Sequence, residues 1–183
     1  NKIDIYDSKM LSLMEELHTV YSSVGYECFK VSALKGDNLE SLVDEMKNKT
    51  TLFSGHSGVG KSQLINSIIP GLNLKTQKIS DVHLKGIHTT TFAEMFVLPQ
   101  GGYIIDTPGI KEFGLYDFNP EEIAERYPEM RALLHECKYY NCTHVHEPGC
   151  AVKSAVKEGK IPESRYLNYL KILQDDHIKK KKK

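Results

Sequence analysis

The chain has 183 residues, 40% of them hydrophobic, which is enough for one core with a small satellite module, the arrangement that we expect. Its formal net charge is zero, but residues 151–183 carry ten Lys or Arg against four Asp or Glu, so this end has a net charge of +6 and the first 150 residues −6. No apolar run approaches the roughly 18–20 residues of a membrane span and no signal peptide is visible, so we expect a soluble, cytoplasmic protein with no membrane partner.

Hydrophobic periodicity predicts that strands alternate with helices along the first two thirds of the chain. The predicted elements are a helix over 10–20, a strand over 28–31, a helix over 39–46, a strand over 50–53, a helix from Lys61 to before Pro70, a loop over 72–90, and strands over 91–98 and 103–105. This alternation predicts an α/β fold with a mostly parallel sheet covered on both faces. Beyond residue 119 the pattern is helical and ends in an amphipathic segment over 163–178.

A phosphate-binding loop is predicted directly after the strand over 50–53. Residues 55–62 fit the pattern G-x-x-x-x-G-K-[ST] and are Gly55, His56, Ser57, Gly58, Val59, Gly60, Lys61 and Ser62. In such a loop backbone N–H groups turn toward the phosphates, Lys61 neutralises the β- and γ-phosphates, and Ser62 coordinates Mg²⁺. The alternative is a chance glycine-rich turn, which the flanking strand and helix disfavour.

Two further segments suit the γ-phosphate and its metal. The sequence D-T-P-G follows an apolar strand, so Asp106 can hold the Mg²⁺ shell and the N–H of Gly109 can meet the γ-phosphate. The sequence H-T-T-T at 88–91 offers switch threonines, of which Thr90 is our candidate for Mg²⁺ and for catalysis. Taken alone, this segment equally suits a threonine-rich start of a β-strand.

Guanine recognition is predicted from the first residues of the chain. In N-K-I-D, Asp4 would accept hydrogen bonds from the N1–H and exocyclic amine of guanine, Lys2 would lie over the purine, and Asn1 completes the motif. Ser32 and Ala33 open a loop of the S-A-[KL] type, whose backbone touches the guanine carbonyl. The base motifs therefore precede the phosphate loop, a circularly permuted order that a sheet can accommodate when new termini are cut at a surface loop.

A metal site is predicted in the last third of the chain. Three cysteines and a histidine follow the pattern C-x₄-C-x-H-x₅-C, and they are Cys137, Cys142, His144 and Cys150. Three thiolates and one imidazole suit one structural, tetrahedral Zn²⁺, whereas the alternative is a set of buried unpaired cysteines. His146 lies two residues beyond His144 and could replace it.

The order of these motifs closely resembles the ribosome small-subunit-dependent GTPase A family (RsgA, also called YjeQ or EngC) over nearly the whole chain. The resemblance implies a partner in the 30S subunit and its 16S rRNA, and GTP hydrolysis that is faster on that subunit. It favours His144 over His146 as the zinc ligand. It also assigns the positioning of water to His88, since Ile110 stands where Ras-like enzymes place a glutamine. The family carries an OB-fold before its GTPase domain, and because the chain opens without Met we expect its natural beginning to lie upstream.

We therefore expect a circularly permuted P-loop GTPase domain over residues 1–118 and a small helical zinc-binding domain with a basic tail over 119–183. The expected activity is hydrolysis of GTP to GDP and phosphate by a monomer, with Lys61, His88 and Thr90 as catalytic residues and Mg²⁺ bound with GTP. One alternative is a non-catalytic module that senses GTP and binds RNA, and a second is a P-loop ATPase of different purpose that binds ATP at least as tightly as GTP. The basic C-terminal end fits contact with RNA, and it equally fits a solvated lysine tail.

Overall fold

The computed structural model describes residues 1–75, 93–107 and 119–174. The chain forms two compact units. Unit 1 contains Asn1–Met14 and Phe29–Phe113, and unit 2 contains Glu15–Cys28 and Gly114–Lys183. The domain boundary expected at residue 118 stays a prediction. The two units differ from it in residues 15–28, which are grouped with unit 2 and not with the first domain.

Unit 1 is built from short helices and strands whose bounds follow the hydrophobic periodicity. They are a 3₁₀ turn (Ile3–Ile5), α2 (Leu39–Met46), β1 (Thr50–Phe53), α3 (Lys61–Ile68), β2 (Glu94–Val97) and β3 (Tyr103–Asp106). The helix α1 (Ser8–Ser23) begins in unit 1 and ends in unit 2. The predictions for α2, β1 and α3 are confirmed. The predicted loop over 72–90 and the start of the predicted strand over 91–98 lie largely outside the described residues.

The three described strands form one mixed sheet in the order β1-β3-β2. β1 and β3 run parallel, with Phe53 opposite Asp106, whereas β2 pairs with β3 in the antiparallel direction. The antiparallel pairing follows from the short connection over residues 98–102, because only a crossover of a dozen or more residues allows two successive strands to run parallel. The parallel pair puts the carboxyl ends of β1 and β3 at the same edge of the sheet, where the predicted phosphate loop and the D-T-P-G sequence begin.

Helices cover one face of this sheet. Met46 of α2 and Ile65 and Ile68 of α3 pack with Ile104 of β3 in one buried cluster. The opposite face is apolar but exposed in the described part of the chain, and it carries Leu52, Met95, Val97 and Tyr103. The expected cover on both faces is therefore wrong for these residues, because the described helices that join this cluster, α2 and α3, pack on the same face.

The predicted strand over 28–31 is not formed in the described structure. Its backbone receives a hydrogen bond from the Ile3 N–H to the Val31 oxygen, at 3.3 Å, and one from the Asn38 side chain to the Lys30 oxygen, at 2.8 Å. A strand requires a ladder of backbone hydrogen bonds to a neighbour. These isolated contacts do not supply one, although the apolar run itself is typical of a strand.

The described part of unit 2 contains four further helices, α4 (Pro120–Glu125), α5 (Pro128–Arg131), α6 (Ala151–Lys157) and α7 (Glu163–Gln174). A 3₁₀ turn, Leu134–Glu136, precedes the cysteine cluster. The core of this unit includes Ile123, Met130, Val152 and Tyr169. Within the described ranges no helix has the length and apolar character needed to cross a membrane.

A buried ion pair ties α7 to α5 within unit 2. Arg165 places its Nε 2.7 Å and its Nη2 3.3 Å from the two carboxylate oxygens of Glu129, and the side chains are only 11% and 6% exposed. The guanidinium also lies over the rings of Tyr21, Tyr26 and Tyr127, at 5.2, 5.6 and 4.7 Å from their centroids. The end of α1 and the turn that follows it are therefore held in unit 2 by one arginine.

Candidate nucleotide site and metal centre

The predicted phosphate loop begins two residues after β1 and leads into α3. Gly58 and Gly60 have φ angles of +83° and +92°, in the left-handed region that glycine tolerates. A Cβ at Gly60 would lie 2.5 Å from the Asn1 amide nitrogen, so only glycine allows Asn1 to approach this closely. The Lys61 ammonium donates to the Gly55 oxygen at 2.8 Å and lies 3.4 Å from the His56 oxygen, which places it over the loop.

The first two residues of the chain bind directly to this loop. The Asn1 amide donates to the carbonyl oxygens of Val59 and Gly60 at 3.2 and 3.3 Å. The Lys2 ammonium donates to the Gly58 oxygen at 2.7 Å. Fifty-six or more residues separate these partners, so the predicted base motif and the predicted phosphate loop meet by tertiary folding.

The second predicted guanine segment joins the same assembly. The Ser32 hydroxyl donates to the Asp4 carboxylate at 2.6 Å, and this hydrogen bond is the main cause that lowers the pKa of Asp4. The Ala33 N–H donates to the Asn1 side-chain oxygen at 3.0 Å. Asp4 is therefore ionised at neutral pH, the state in which a carboxylate accepts hydrogen bonds from a base.

Asp106 ends β3 and is 1% exposed. Its register partner Phe53 is two residues before Gly55, so the carboxylate lies at the edge of the sheet where the phosphate loop begins. The hydroxyl of Thr107 donates to the Phe53 oxygen at 2.7 Å and fixes the backbone just beyond Asp106. This is the position from which a carboxylate can hold a magnesium shell. His88, Thr90 and Gly109, also predicted for this site, lie outside the described residues.

The predicted zinc ligands come together in unit 2. The ligand atoms of Cys137, Cys142, His144 and Cys150 all lie within 4.8 Å of one another. The His144 Nδ1 is 3.7 Å from the Cys137 sulfur and 3.3 Å from the Cys150 sulfur. Zinc bonds of about 2.0–2.3 Å at tetrahedral angles put ligand atoms about 3.3–3.8 Å apart, so the chemistry of this set and the two distances from His144 fit zinc. His146 is exposed and is not a member of this group.

Burial sets the protonation of this cluster. It raises the pKa of the Cys142 thiol to about 12, raises the pKa of Cys150, and lowers the pKa of His144. The histidine is therefore neutral at pH 7, as a metal ligand must be, and a metal would replace the thiol protons. Cys150 also caps the N-terminus of α6, with its sulfur 3.4 Å from the Lys153 nitrogen, a position that favours a thiolate.

Sequence reasoning missed the side chains that shape this ligand loop. The Tyr166 hydroxyl donates to the His144 oxygen at 2.6 Å, and the Tyr169 hydroxyl donates to the Thr143 oxygen at 2.7 Å. The Glu147 carboxylate accepts from the backbone of Thr143 and Val145 at 2.9 and 3.1 Å. Burial opposes ionisation of Glu147, but a hydrogen bond from the Thr143 hydroxyl, at 2.6 Å, together with these backbone hydrogen bonds outweighs it and lowers its pKa to about 2. The two tyrosines recur at helical spacing in α7, where the pattern alone indicates only a packed face.

Two polar residues of α3 were also missed in unit 1. The Asn66 amide pairs with both the N–H and the oxygen of Leu74, at 2.9 and 3.0 Å. The Ser67 hydroxyl lies 2.6 Å from the Ala33 oxygen. Sequence gives no signal for either contact, because each joins segments that are not in one motif.

Comparison with known proteins identifies the family of this chain. The family model of the RsgA GTPase matches residues 1–116. The chain belongs to the RsgA GTPase family. A relative from Bacteroides fragilis, named small ribosomal subunit biogenesis GTPase RsgA, is 55% identical over 175 residues, which cover 96% of this chain and 56% of the relative. The chain thus spans little more than half the length of the curated relatives that it matches.

Two solved structures share the fold. YjeQ from Thermotoga maritima has a TM-score of 0.77 and 40% identity, over 94% of this chain and 56% of that protein. YloQ, described as a circularly permuted GTPase, has a TM-score of 0.75 and 32% identity, over all of this chain and 56% of that protein. The predicted family and the permuted P-loop fold are confirmed.

Proposed function

We propose that this chain binds GTP, hydrolyses it to GDP and phosphate, and acts in late maturation of the 30S ribosomal subunit. The observation that carries the proposal is the hydrogen bonding of Asn1 and Lys2 to the carbonyls of residues 58–60, in the loop that follows the strand paired with Asp106. A base-recognition motif and a phosphate loop joined in this way can bind a purine nucleotide along its whole length. The names of the curated relatives supply the link to the small ribosomal subunit.

Base selection in this proposal rests on Asp4. Its carboxylate, held by Ser32, accepts from the N1–H and the exocyclic amine of guanine, and Lys2 lies over the purine face. Adenine offers neither donor, so it would leave the charged acceptor unpaired. The backbone that follows Ser32 and Ala33 contacts the guanine carbonyl.

Phosphate binding rests on residues 55–62. The loop amides and the N-terminus of α3 bind the phosphates, and Lys61 exchanges its contact with the Gly55 oxygen for the β- and γ-phosphates. Ser62, Thr90 and the shell around Asp106 would hold Mg²⁺, which neutralises charge on the transferred phosphoryl group when bound. We assign the positioning of the attacking water to His88 and a γ-phosphate contact to Gly109.

We propose that unit 2, which contains the predicted zinc ligands, contacts 16S rRNA. Tyr140 is fully exposed, and the Lys138 ammonium lies 5.5 Å from the centroid of the neighbouring Tyr139 ring. Exposed aromatic rings beside basic side chains suit unpaired RNA bases and the phosphates between them. We further propose one structural zinc ion held by the four ligands, a GTPase domain over 1–118, a zinc domain over 119–183, and a cytoplasmic monomer.

Single-turnover hydrolysis tests the proposal. The chain is mixed with radiolabelled GTP, with and without purified 30S subunits, and phosphate release is measured for the wild type and for Lys61→Ala. We expect slow release that the subunits accelerate, and a loss of at least about 100-fold in Lys61→Ala because charge on the transferred phosphoryl group is no longer stabilised. Lys49→Ala is the matched control, since Lys49 pairs with Glu45 on an exposed surface.

The outcomes separate the candidate functions. GTP binding without phosphate release, even on 30S subunits, would favour the non-catalytic sensor. Absence of GTP binding, or equal binding of ATP, would reject the proposal.

A further inference from the structure

The Ser67 hydroxyl joins the helix of the phosphate loop to the loop predicted to contact guanine. Its oxygen lies 2.6 Å from the Ala33 carbonyl oxygen and 2.9 Å from the Gln63 oxygen one turn earlier in α3. A helical serine commonly donates to the carbonyl four residues earlier. Here a second acceptor from another segment is closer, so the hydroxyl proton is directed to Ala33.

The loop that Ser67 contacts is a closed unit of its own. The Ser32 N–H donates to the Asp37 oxygen at 3.1 Å, and the Gly36 N–H donates to the Ser32 oxygen at 2.8 Å. These bonds fix the shape of residues 32–37, but they do not attach the loop to the rest of unit 1. Its attachment depends on contacts made by Ala33 and by the Ser32 side chain.

Ala33 is held on both sides. Its N–H donates to Asn1 at 3.0 Å, and its carbonyl accepts from Ser67. Asn1 also donates to the phosphate loop, which continues into α3, where Ser67 lies. These contacts therefore form a closed ring of four segments, in which each segment is joined to the next. The segments are the base motif at residues 1–4, the phosphate loop at 55–62, α3 and the 32–37 loop.

The Ser67 end of this ring is rigid. Ile65 and Ile68 flank Ser67 and are buried in the core of unit 1, so α3 cannot rotate without exposing them. The position of the 32–37 loop is therefore fixed relative to α3, the helix that also positions Lys61. A fixed distance between the base contacts and the phosphate contacts lets one nucleotide satisfy both without reordering the loop on binding.

We propose that Ser67 is a positioning residue for guanine specificity, which holds the Ala33 carbonyl and thereby orients the 32–37 loop toward the base. The inference rests on the proposed function, since it assumes that this loop meets guanine. It assigns to Ser67 a role in base selection that differs from phosphate binding. GDP binding should depend on Ser67, whereas binding of ADP, which engages the phosphate loop without the guanine contacts, should not.

Equilibrium binding of GDP and ADP to the full 183-residue chain tests this role, by calorimetry or by competition with a fluorescent nucleotide. In Ser67→Ala we expect GDP affinity to fall about fivefold, the effect of one net hydrogen bond, while ADP affinity stays unchanged. Ser67→Thr keeps the hydroxyl and should keep the wild-type preference for GDP. Thr19→Ala is the matched control, because Thr19 of α1 also donates to the carbonyl oxygen four residues earlier, that of Glu15 at 2.9 Å, and α1 is not one of the segments joined by these contacts.

Several outcomes would overturn the inference. Equal losses for GDP and ADP in Ser67→Ala would mean that the hydroxyl only supports α3, and an unchanged GDP affinity would mean that it does nothing for the base. If Ser67→Thr bound GDP as weakly as Ser67→Ala, loss of the hydroxyl would not be the cause of the lower GDP affinity. If Ser67→Ala does not fold, Ser67→Cys gives the same GDP and ADP comparison with a poorer donor. Failure of the wild-type chain to bind GDP would instead reject the proposed function.

Discussion

In unit 1 none of the predicted nucleotide-binding residues that the structure describes belongs to the hydrophobic cluster, whereas in unit 2 two of the predicted metal-ligand cysteines belong to the cluster itself. Asn1 and Lys61 are partly exposed and donate to backbone carbonyls, and the buried Ser32 hydroxyl donates to Asp4. Cys142 and Cys150 are packed with Tyr169 in the core. Unit 1 can therefore keep its core without a ligand, while removal of a metal from unit 2 would leave its core built around buried thiols.

Zinc removal is expected to have the largest effect and tests this contrast directly. Cys150→Ser, or chelation of the wild type, should abolish cooperative unfolding of unit 2, because structural zinc contributes about 10–16 kcal/mol of apparent binding free energy. GDP binding should persist, since the contacts of Asn1, Ala33 and Ser67 lie within unit 1. The measurements are near-ultraviolet circular dichroism of the tyrosines, zinc content and GDP titration.

The fourth cysteine provides the control for that experiment. Cys28 lies outside the metal group, with its sulfur 3.6 Å from the Tyr26 oxygen. Cys28→Ser should retain one zinc per chain. Loss of GDP binding together with the zinc would show that the two units do not keep separate cores.

The ion pair of unit 2 gives the next largest expected effect. Arg165→Met leaves the Glu129 carboxylate buried without its partner, and we expect a loss of about 3–5 kcal/mol in the free energy of unfolding. The double variant Arg165→Met with Glu129→Met should recover much of this loss. Lys160→Met is the control and should cost less than about 1 kcal/mol, because Lys160 and Glu158 form an exposed pair. Urea unfolding measures the free energy of unfolding of all three variants. Equal losses of this free energy in Arg165→Met and Lys160→Met would contradict the stabilising role of the buried ion pair.

Asp4→Asn tests unit 1 without affecting its core. Replacing the carboxylate removes two charge-assisted hydrogen bonds, so GDP affinity should fall at least about 100-fold. Xanthosine diphosphate carries a carbonyl in place of the amine and should bind the variant better than it binds the wild type. Thermal unfolding without nucleotide should change only slightly, because the amide oxygen of Asn can still accept from the Ser32 hydroxyl. A GDP affinity near that of the wild type would mean that Asp4 does not meet the base.

Tyr140→Ala is expected to have the smallest effect and concerns the surface of unit 2. Loss of one stacked base costs about 1–3 kcal/mol, so affinity for 30S subunits should fall about tenfold while the zinc content stays constant. Tyr140→Phe keeps the ring and should bind as the wild type does. Filter binding or light scattering measures the affinity, and a Phe variant as weak as the Ala variant would argue against stacking.

Local motifs made much of this molecule predictable. Residues 55–62 and the pattern C-x₄-C-x-H-x₅-C carry their chemistry in contiguous residue types, and the geometry around them fits the expected roles. The bounds of α2, β1 and α3 followed from apolar spacing together with Gly and Pro breaks. The family followed from the order of the motifs, which the comparisons confirm.

Hydrophobic patterns predicted the structure least well where an element depends on hydrogen bonds or packing with a segment distant in sequence. The run over 28–31 has the composition of a strand, but a strand exists only when a neighbour completes its hydrogen-bond ladder. The same limit applies to the exposed face of the sheet. Side chains that alternate along these strands predict two apolar faces, but they do not show which face the helices cover.

The sequence by itself determined which chemical groups this protein possesses: a glycine-rich phosphate loop, a carboxylate suited to guanine, and a thiolate and imidazole set suited to zinc. Only the tertiary structure decided how they are held together, through Asn1 on the phosphate loop, Ser67 on Ala33, and Arg165 among three tyrosines. Each of these contacts joins residues more than thirty positions apart. Spacing along a chain specifies local geometry, whereas long-range contacts are selected by the packing of the whole unit.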